Sequence, residues 1–185
     1  MIADPATVVA RETEPRPIWR ILVNANAGAV FQQGGDAFCA RLMALFAAVN
    51  VRADVQLVRG RNLGGALRAA AATGRHDPVV VAGGDGTISA LLPIICALKR
   101  PIGVLPLGTL NVLAGDLGLS GAIEDVVSKL AASHPQPIDL ADVNGVLFHS
   151  NAGLGFFTRM AQERETARRR FPFSKAIGFA VATAR

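Results

Sequence analysis

The sequence predicts an α/β fold, a three-layer, mostly parallel sheet with helices on both faces, and three observations predict it. Short runs of about five apolar residues alternate with segments of helical periodicity. Most of these runs are apolar throughout, as strands covered on both faces must be. Three of them lead straight into turns rich in glycine and asparagine, the pattern of strand-to-helix connections along one edge of such a sheet.

The elements come in a regular order. Residues 1–16 are rich in prolines and charges and read as a flexible leader, with no basic stretch followed by an apolar core as a signal peptide would have. Residues 18–23 form a first strand that runs into Asn24-Ala25-Asn26-Ala27-Gly28. Phe38, Leu42, Leu45, Phe46 and Val49 then recur at helical spacing. Val51, Ala53, Val55 and Leu57 alternate as a second strand, and the alanine-rich residues 63–73 form a helix closed by Gly74 at its C-cap. Residues 78–82 are a third strand leading into Gly83-Gly84-Asp85-Gly86-Thr87. Ile88, Leu91, Leu92, Ile95 and Leu98 mark the next helix, bent at Pro93. Residues 102–105 form a fourth strand, ending in Pro106-Leu107-Gly108-Thr109-Leu110-Asn111, and residues 113–117 and 123–130 come next as helices. Past His134-Pro135-Gln136-Pro137 the pattern changes to two short apolar runs around Asn144-Gly145, a hairpin signal. The expected organisation is therefore a leader over residues 1–16, an α/β domain over 17–135 and the start of a β-rich second domain over 136–185.

Composition narrows the function classes. The 185 residues are 51% hydrophobic and 18% charged, enough for one substantial core. Mean hydropathy is positive, yet the longest apolar stretch, residues 88–98, contains Ser89 and Pro93 and is far shorter than the ~20 residues of a spanning helix. No transmembrane segment is expected, and the cytoplasm is the default compartment. Cys39 and Cys96 stand apart among apolar residues at helical spacing and read as buried free thiols. His76, His134 and His149 are scattered without metal-ligand spacing. The formal net charge of +5 suits a nucleotide, a nucleic acid or an anionic membrane surface. No nucleic-acid recognition motif accompanies it, so no nucleic-acid partner is expected. Arg164, Arg168, Arg169 and Arg170, followed by Phe171 and Phe173, read either as a solvated helix face with pairs such as Glu165 with Arg169, or as a contact with anionic lipid.

The glycine turns carry the chemistry. In Gly83-Gly84-Asp85-Gly86-Thr87 the glycines let the backbone approach a ligand and turn its N–H groups toward phosphate oxygens, and the following helix adds its N-terminal dipole. Asp85 is placed to hold a phosphate-bound Mg²⁺, directly or through water. Thr87 either donates to a phosphate or serves as an ordinary N-cap. The loop is neither a GxxxxGK[ST] nor a GxGxxG motif. Asn24 and Asn111 have turn or cap work as their alternative role.

The ordered set NANAG, GGDGT and LPLGTLNVLAGDLGL resembles the catalytic domain of diacylglycerol kinases, sphingosine kinases and their bacterial lipid kinase relatives, over residues 18–160. The resemblance implies a phosphofructokinase-like α/β fold shared with NAD kinases, ATP and Mg²⁺ as cofactors, and phosphoryl transfer from ATP to a hydroxyl of diacylglycerol or a related lipid. It implies nucleotide contacts at Asn24 and Gly28, at Gly83, Gly84, Asp85, Gly86 and Thr87, and at Gly108, Thr109 and Asn111. The chain departs from the family where Ala25 and Ala27 replace the usual Pro and Ser, where Val112 replaces a frequent Asp, and where Arg59-Gly60 stands in place of a Thr after the second strand. The family's Asp-Gly-Glu segment, which bears the catalytic base, has no counterpart after Gly121, so the catalytic residues stay unassigned and an incomplete second domain is expected. Two alternatives stand beside the lipid kinase: a non-catalytic nucleotide-binding fragment, and an NAD kinase, whose GxLGFLT-like segment is echoed by residues 153–158 but far from its usual place. A membrane-peripheral location and a homodimer are left open.

Overall fold

The computed structural model describes residues 17–74 and 76–153. The leader, the arginines Arg164, Arg168, Arg169 and Arg170, and most of the NAD kinase echo lie outside the described residues. The chain divides into two units, Met1–His149 and Ser150–Arg185, and the strands and helices of the described residues all belong to the first.

Four strands form one parallel sheet: β1 (Ile18–Asn24), β2 (Arg52–Val58), β3 (Val79–Gly83) and β4 (Ile102–Pro106), in the order β2-β1-β3-β4. Every residue of β3 is buried, which explains its unbroken apolar run: a central strand covered on both faces has no position for a polar side chain. The edge strand β2 keeps a looser, half-exposed pattern. Helices α1 (Gly28–Gln33) and α2 (Gly35–Ala48) lead from β1 to β2, and α3 (Leu63–Thr73) leads from β2 to β3, after a short 3-10 turn at Gly60–Asn62. Helix α4 (Asp85–Leu98) leads from β3 to β4, and α5 (Val112–Asp116) and α6 (Ile123–Ala132) complete the layers.

The chain moves outward from β1 to β2, then crosses back to β3 and on to β4. Right-handed crossovers taken in opposite directions place their helices on opposite faces. Accordingly α2 packs on β2 and meets α6, which packs on β4, while α3 packs on β1 and β3 beside α4. The core runs between the layers through Ile21, Leu22, Val23, Leu42, Phe46, Leu67, Val80, Val81, Leu105 and Val126, all buried. Trp19 tilts against Phe46 with ring centroids 5.8 Å apart, fixing α2 to the sheet.

The α/β expectation holds, and so does the hairpin. Strands β5 (Ala141–Val143) and β6 (Val146–Phe148) pair antiparallel, and Asn144 and Gly145, both at positive φ, make the two-residue turn between them. This hairpin lies within the unit that ends at His149. One helix was not foreseen, one alternative is excluded and one expectation needs correction. The six-residue α1 was not anticipated; its N-cap is Ala27, which has no side-chain oxygen to announce it. Thr87 is not the N-cap of α4: β3 ends at Gly83, Gly84 is the cap, and Thr87 lies inside the first turn. Cys96 is exposed, whereas Cys39 is buried as expected. The buried side of α4 runs through Ile88, Leu91 and Leu92, with Ile95 and Leu98 partly buried, and at 100° per residue Cys96 falls beside that stripe. Helix α4 also continues through Pro93, whose missing N–H leaves the carbonyl of Ser89 without its intrahelical partner. Among the described residues, no helix is long and apolar enough to cross a membrane.

Candidate functional site

All four parallel strands end at the same edge. Val58 of β2 lies opposite Asn24 of β1, Val23 opposite Ala82 of β3, and Gly83 opposite Pro106 of β4, so the strand ends form one row. Because β1 is followed outward by β2 while β3 lies on its other side, the sheet reverses direction between β1 and β3. That gap is where an open α/β sheet leaves a crevice for a ligand. The NANAG turn lies at one lip of it and the GGDGT turn at the other.

A side-chain bond spans the gap. Asn24 Nδ2 donates to Thr87 Oγ1 at 2.9 Å, while Asn24 Oδ1 accepts the backbone N–H of Asn26 at 3.0 Å. Asn24 therefore folds its own turn and anchors the opposite one. The bond occupies an acceptor site of the Thr87 hydroxyl and leaves its hydrogen uncommitted. A backbone bond from Ala25 N to Val58 O, 2.9 Å, ties the first turn to β2 as well. Gly28 opens α1 directly after this turn.

The GGDGT turn meets the loop after β4 backbone to backbone. A methyl carbon built on Gly84 would lie 2.8 Å from the Cα of Gly108, and one built on Gly108 would lie 2.6 Å from the Cα of Gly84. Neither residue has positive φ, so the requirement for glycine here is space alone. Gly83 is closed off likewise by the Thr87 side chain, 2.7 Å from where its Cβ would stand. Gly86, by contrast, faces open space.

Asn111 shapes the third turn. It adopts the left-handed conformation at φ 51° and ψ 50°, which asparagine tolerates better than most residues, and its amide brackets the turn. Gly108 N donates to Asn111 Oδ1 at 2.8 Å, and Asn111 Nδ2 donates back to Gly108 O at 3.0 Å. With that side chain committed to the turn, the start of α5 is met instead by Asp85, whose Oδ1 accepts the N–H of Leu113 at 3.4 Å. This link from GGDGT to α5 was invisible in the sequence, since nothing in residue type pairs an aspartate with a leucine amide. Thr109 is exposed.

Donors remain unused at the head of α4. The N–H groups of Thr87 and Ile88 both bond to Gly84 O, at 2.8 and 3.2 Å, but those of Asp85 and Gly86 precede the first intrahelical bond and Gly84 provides no side chain to take them. Between this turn, Ile88, Val104 and the start of α5 lies a narrow crevice with no room for a water molecule. A nucleotide would therefore lie along the outer rim.

The structure thus brings together Asn24 with Thr87, Gly84 with Gly108, and Asp85 with the residue after Val112; it places Gly28, Gly86 and Thr109 at the same edge without a side-chain link. One further pair escaped the sequence reading: His149 Nε2 lies 3.2 Å from Ser89 Oγ, which ties the end of the hairpin to α4 just past the GGDGT turn. Among the described residues, no three His, Cys, Asp or Glu side chains converge as metal ligands.

Known proteins share this architecture. The family described as diacylglycerol kinase catalytic domain matches residues 19–143. A Yersinia pestis (strain Pestoides F) protein named "Probable lipid kinase YegS-like" is 38% identical over 98 residues, 50% of this chain and 33% of that protein. A candidate lipid kinase of Staphylococcus haemolyticus (strain JCSC1435) is 33% identical over 95 residues, 50% of this chain and 31% of that protein. The chain thus spans about a third of the length of the curated relatives it matches. Among solved structures, a diacylglycerol kinase from Bacillus anthracis str. Sterne superposes with a TM-score of 0.56 at 24% identity, covering 74% of this chain and 47% of that one, a likeness of fold. With the family match extending from the first strand to the hairpin, the chain belongs to the diacylglycerol kinase catalytic domain family.

Proposed function

We propose that this chain supplies the nucleotide-binding part of an ATP-dependent lipid kinase, which transfers the γ-phosphate of ATP to a hydroxyl of diacylglycerol or a related lipid. The observation that carries the reading is the head of α4: free N–H groups of Asp85 and Gly86, the Thr87 hydroxyl with its hydrogen uncommitted, and Gly86, which faces open space and lets a phosphate come within hydrogen-bond reach of the backbone. The 14-residue helix behind them adds its positive end.

Asp85 makes sense only alongside a cation. A carboxylate in the cradle would repel a triphosphate, and its second oxygen, Oδ2, takes no hydrogen bond among the described residues. A single carboxylate with an oxygen to spare fits the way Mg²⁺ is held on a nucleotide, where phosphate oxygens and water provide most of the ligands. Mg²⁺ there would neutralise phosphate charge and polarise the transferred group. The protein's own share is to orient the phosphates along the rim with backbone donors and the Thr87 hydroxyl.

The test is titration of the chain with Mg-ATP, with Asp85→Asn as the comparison. The reading predicts saturable binding by wild type and at least a tenfold loss of affinity in the variant. No saturable binding of Mg-ATP, or binding that Asp85→Asn leaves unchanged, would overturn it.

A further inference from the structure

The three turns that make the cradle contain no basic side chain. Residues 24–28, 83–87 and 106–111 bring one carboxylate, Asp85, and no lysine or arginine. Backbone donors and one Mg²⁺ leave a triphosphate well short of neutral, and phosphate sites ordinarily add a guanidinium or an ammonium at the outer phosphates. Among the described residues, two arginines stand on the next turn along the same edge.

Strand β2 ends at Val58 opposite Asn24, and Arg59-Gly60-Arg61 comes immediately after. Neighbouring strands lie ~4.8 Å apart, so this turn begins two strand spacings, roughly 10 Å, from the GGDGT turn, a gap long arginine side chains largely cross. The turn is also held to the site. Ala25 N bonds to Val58 O, and a Cβ on Gly60 would lie 3.7 Å from Asn24 Oδ1, on the residue that anchors Thr87. Its backbone is fixed by the bond from Asn62 N to Arg59 O at 2.8 Å.

Arg59 and Arg61 are exposed and uncommitted, as Arg52 and Arg68 also are, and what sets them apart is their place on the turn beside the site. Arg20 pairs with Asp54 and Asp77, Arg41 pairs with Glu124, and Arg100 donates to the carbonyls of Ala71, Gly74 and Asp77. Arg59 and Arg61 make no ion pair or side-chain hydrogen bond among the described residues. Two unpaired guanidiniums next to a phosphate cradle that lacks any cation is a charge arrangement that folding alone does not account for.

We propose that Arg59 and Arg61 form a guanidinium clamp for the outer phosphates of the nucleotide held between β1 and β3. The inference rests on the nucleotide reading above and adds to it: the clamp makes the site select by phosphate number. Arginine suits the task, because its planar fork grips two phosphate oxygens at once where lysine offers a point charge.

The measurement is calorimetric titration of the intact chain with Mg-ATP, Mg-ADP and AMP, for wild type, Arg59→Ala, Arg61→Ala, the double alanine variant and Arg52→Ala. Arg52 is an exposed arginine at the opposite end of β2 and controls for net charge. The clamp predicts that the double variant loses roughly tenfold or more in affinity for ATP, less for ADP and almost nothing for AMP, while Arg52→Ala binds as wild type. An equal loss for all three nucleotides, an equal loss in Arg52→Ala, or no loss in the double variant would overturn the clamp and leave the nucleotide reading standing. Absence of binding by wild type to any of the three would overturn both. Thermal melts of each variant should match wild type, since neither guanidinium holds the fold together.

Discussion

The backbones of Gly84 and Gly108 meet so closely that a single methyl carbon on either would press on the Cα of the other, at 2.8 and 2.6 Å. This contact lets the turn after β3 and the turn after β4 share one rim. Replacing Gly84 or Gly108 by alanine should force the turns apart at a cost of about 1–3 kcal/mol, the range for overpacking a tight site. Gly86→Ala, where nothing lies within 4 Å, is the control. Urea denaturation of the three variants checks this, with the loss confined to the first two.

The bond from Asn24 to Thr87 predicts a different signature. Thr87→Val keeps the shape and removes the hydroxyl, leaving Asn24 Nδ2 without its partner; the expected stability loss is about 1–2 kcal/mol, and Thr87→Ser should restore most of it. The same series followed by nucleotide titration should show weakened binding in the valine variant and near wild-type binding in the serine variant.

Helix α1 starts without a cap, because Ala27 occupies the N-cap with extended backbone at φ −68° and ψ 139° and no side-chain oxygen. Ala27→Ser needs no change of backbone and gives the first turn a hydroxyl acceptor. The expected gain is about 0.5–1 kcal/mol in urea denaturation.

The two thiols should differ sharply in reactivity. Burial, with a further push from the Asp36 carboxylate, raises the Cys39 thiol above its ordinary range, so little thiolate forms near neutral pH and access is closed as well. Cys96 is exposed. Titration of the folded chain with a thiol-reactive disulfide at pH 8 should consume one thiol quickly and the second only on unfolding, and peptide mapping should place the first label on Cys96.

These residues also mark how far the sequence could be read. The strand runs were legible because a central parallel strand such as Val79–Gly83 has no solvated face and writes itself as continuous apolar residues. The Asn144-Gly145 turn was legible because few other dipeptides accept two positive φ values. Helix α1 was not, since six residues give too little periodicity and Ala27 gives no cap signal. The alternative N-cap role of Thr87 falls away because, although a threonine ahead of an apolar run looks like a cap, the helix had already begun at Asp85. The site's pairings, Asn24 with Thr87, Gly84 with Gly108 and Asp85 with Leu113, join residues far apart in sequence, and only the strand order β2-β1-β3-β4 brings them together. The motifs named the residues, and the topology decided what each one touches.

The central claim is that Mg-ATP lies along the rim where β1, β3 and β4 end. The direct measurement is the change in backbone amide resonances of the isotopically labelled chain as Mg-ATP is added. The account predicts the largest shifts at Asp85 and Gly86, with further shifts across residues 24–28 and 108–111 and around Arg59. Shifts concentrated at the opposite end of the sheet, around Arg52 and Arg100, or no shift at Asp85 and Gly86 at saturating nucleotide, would contradict it.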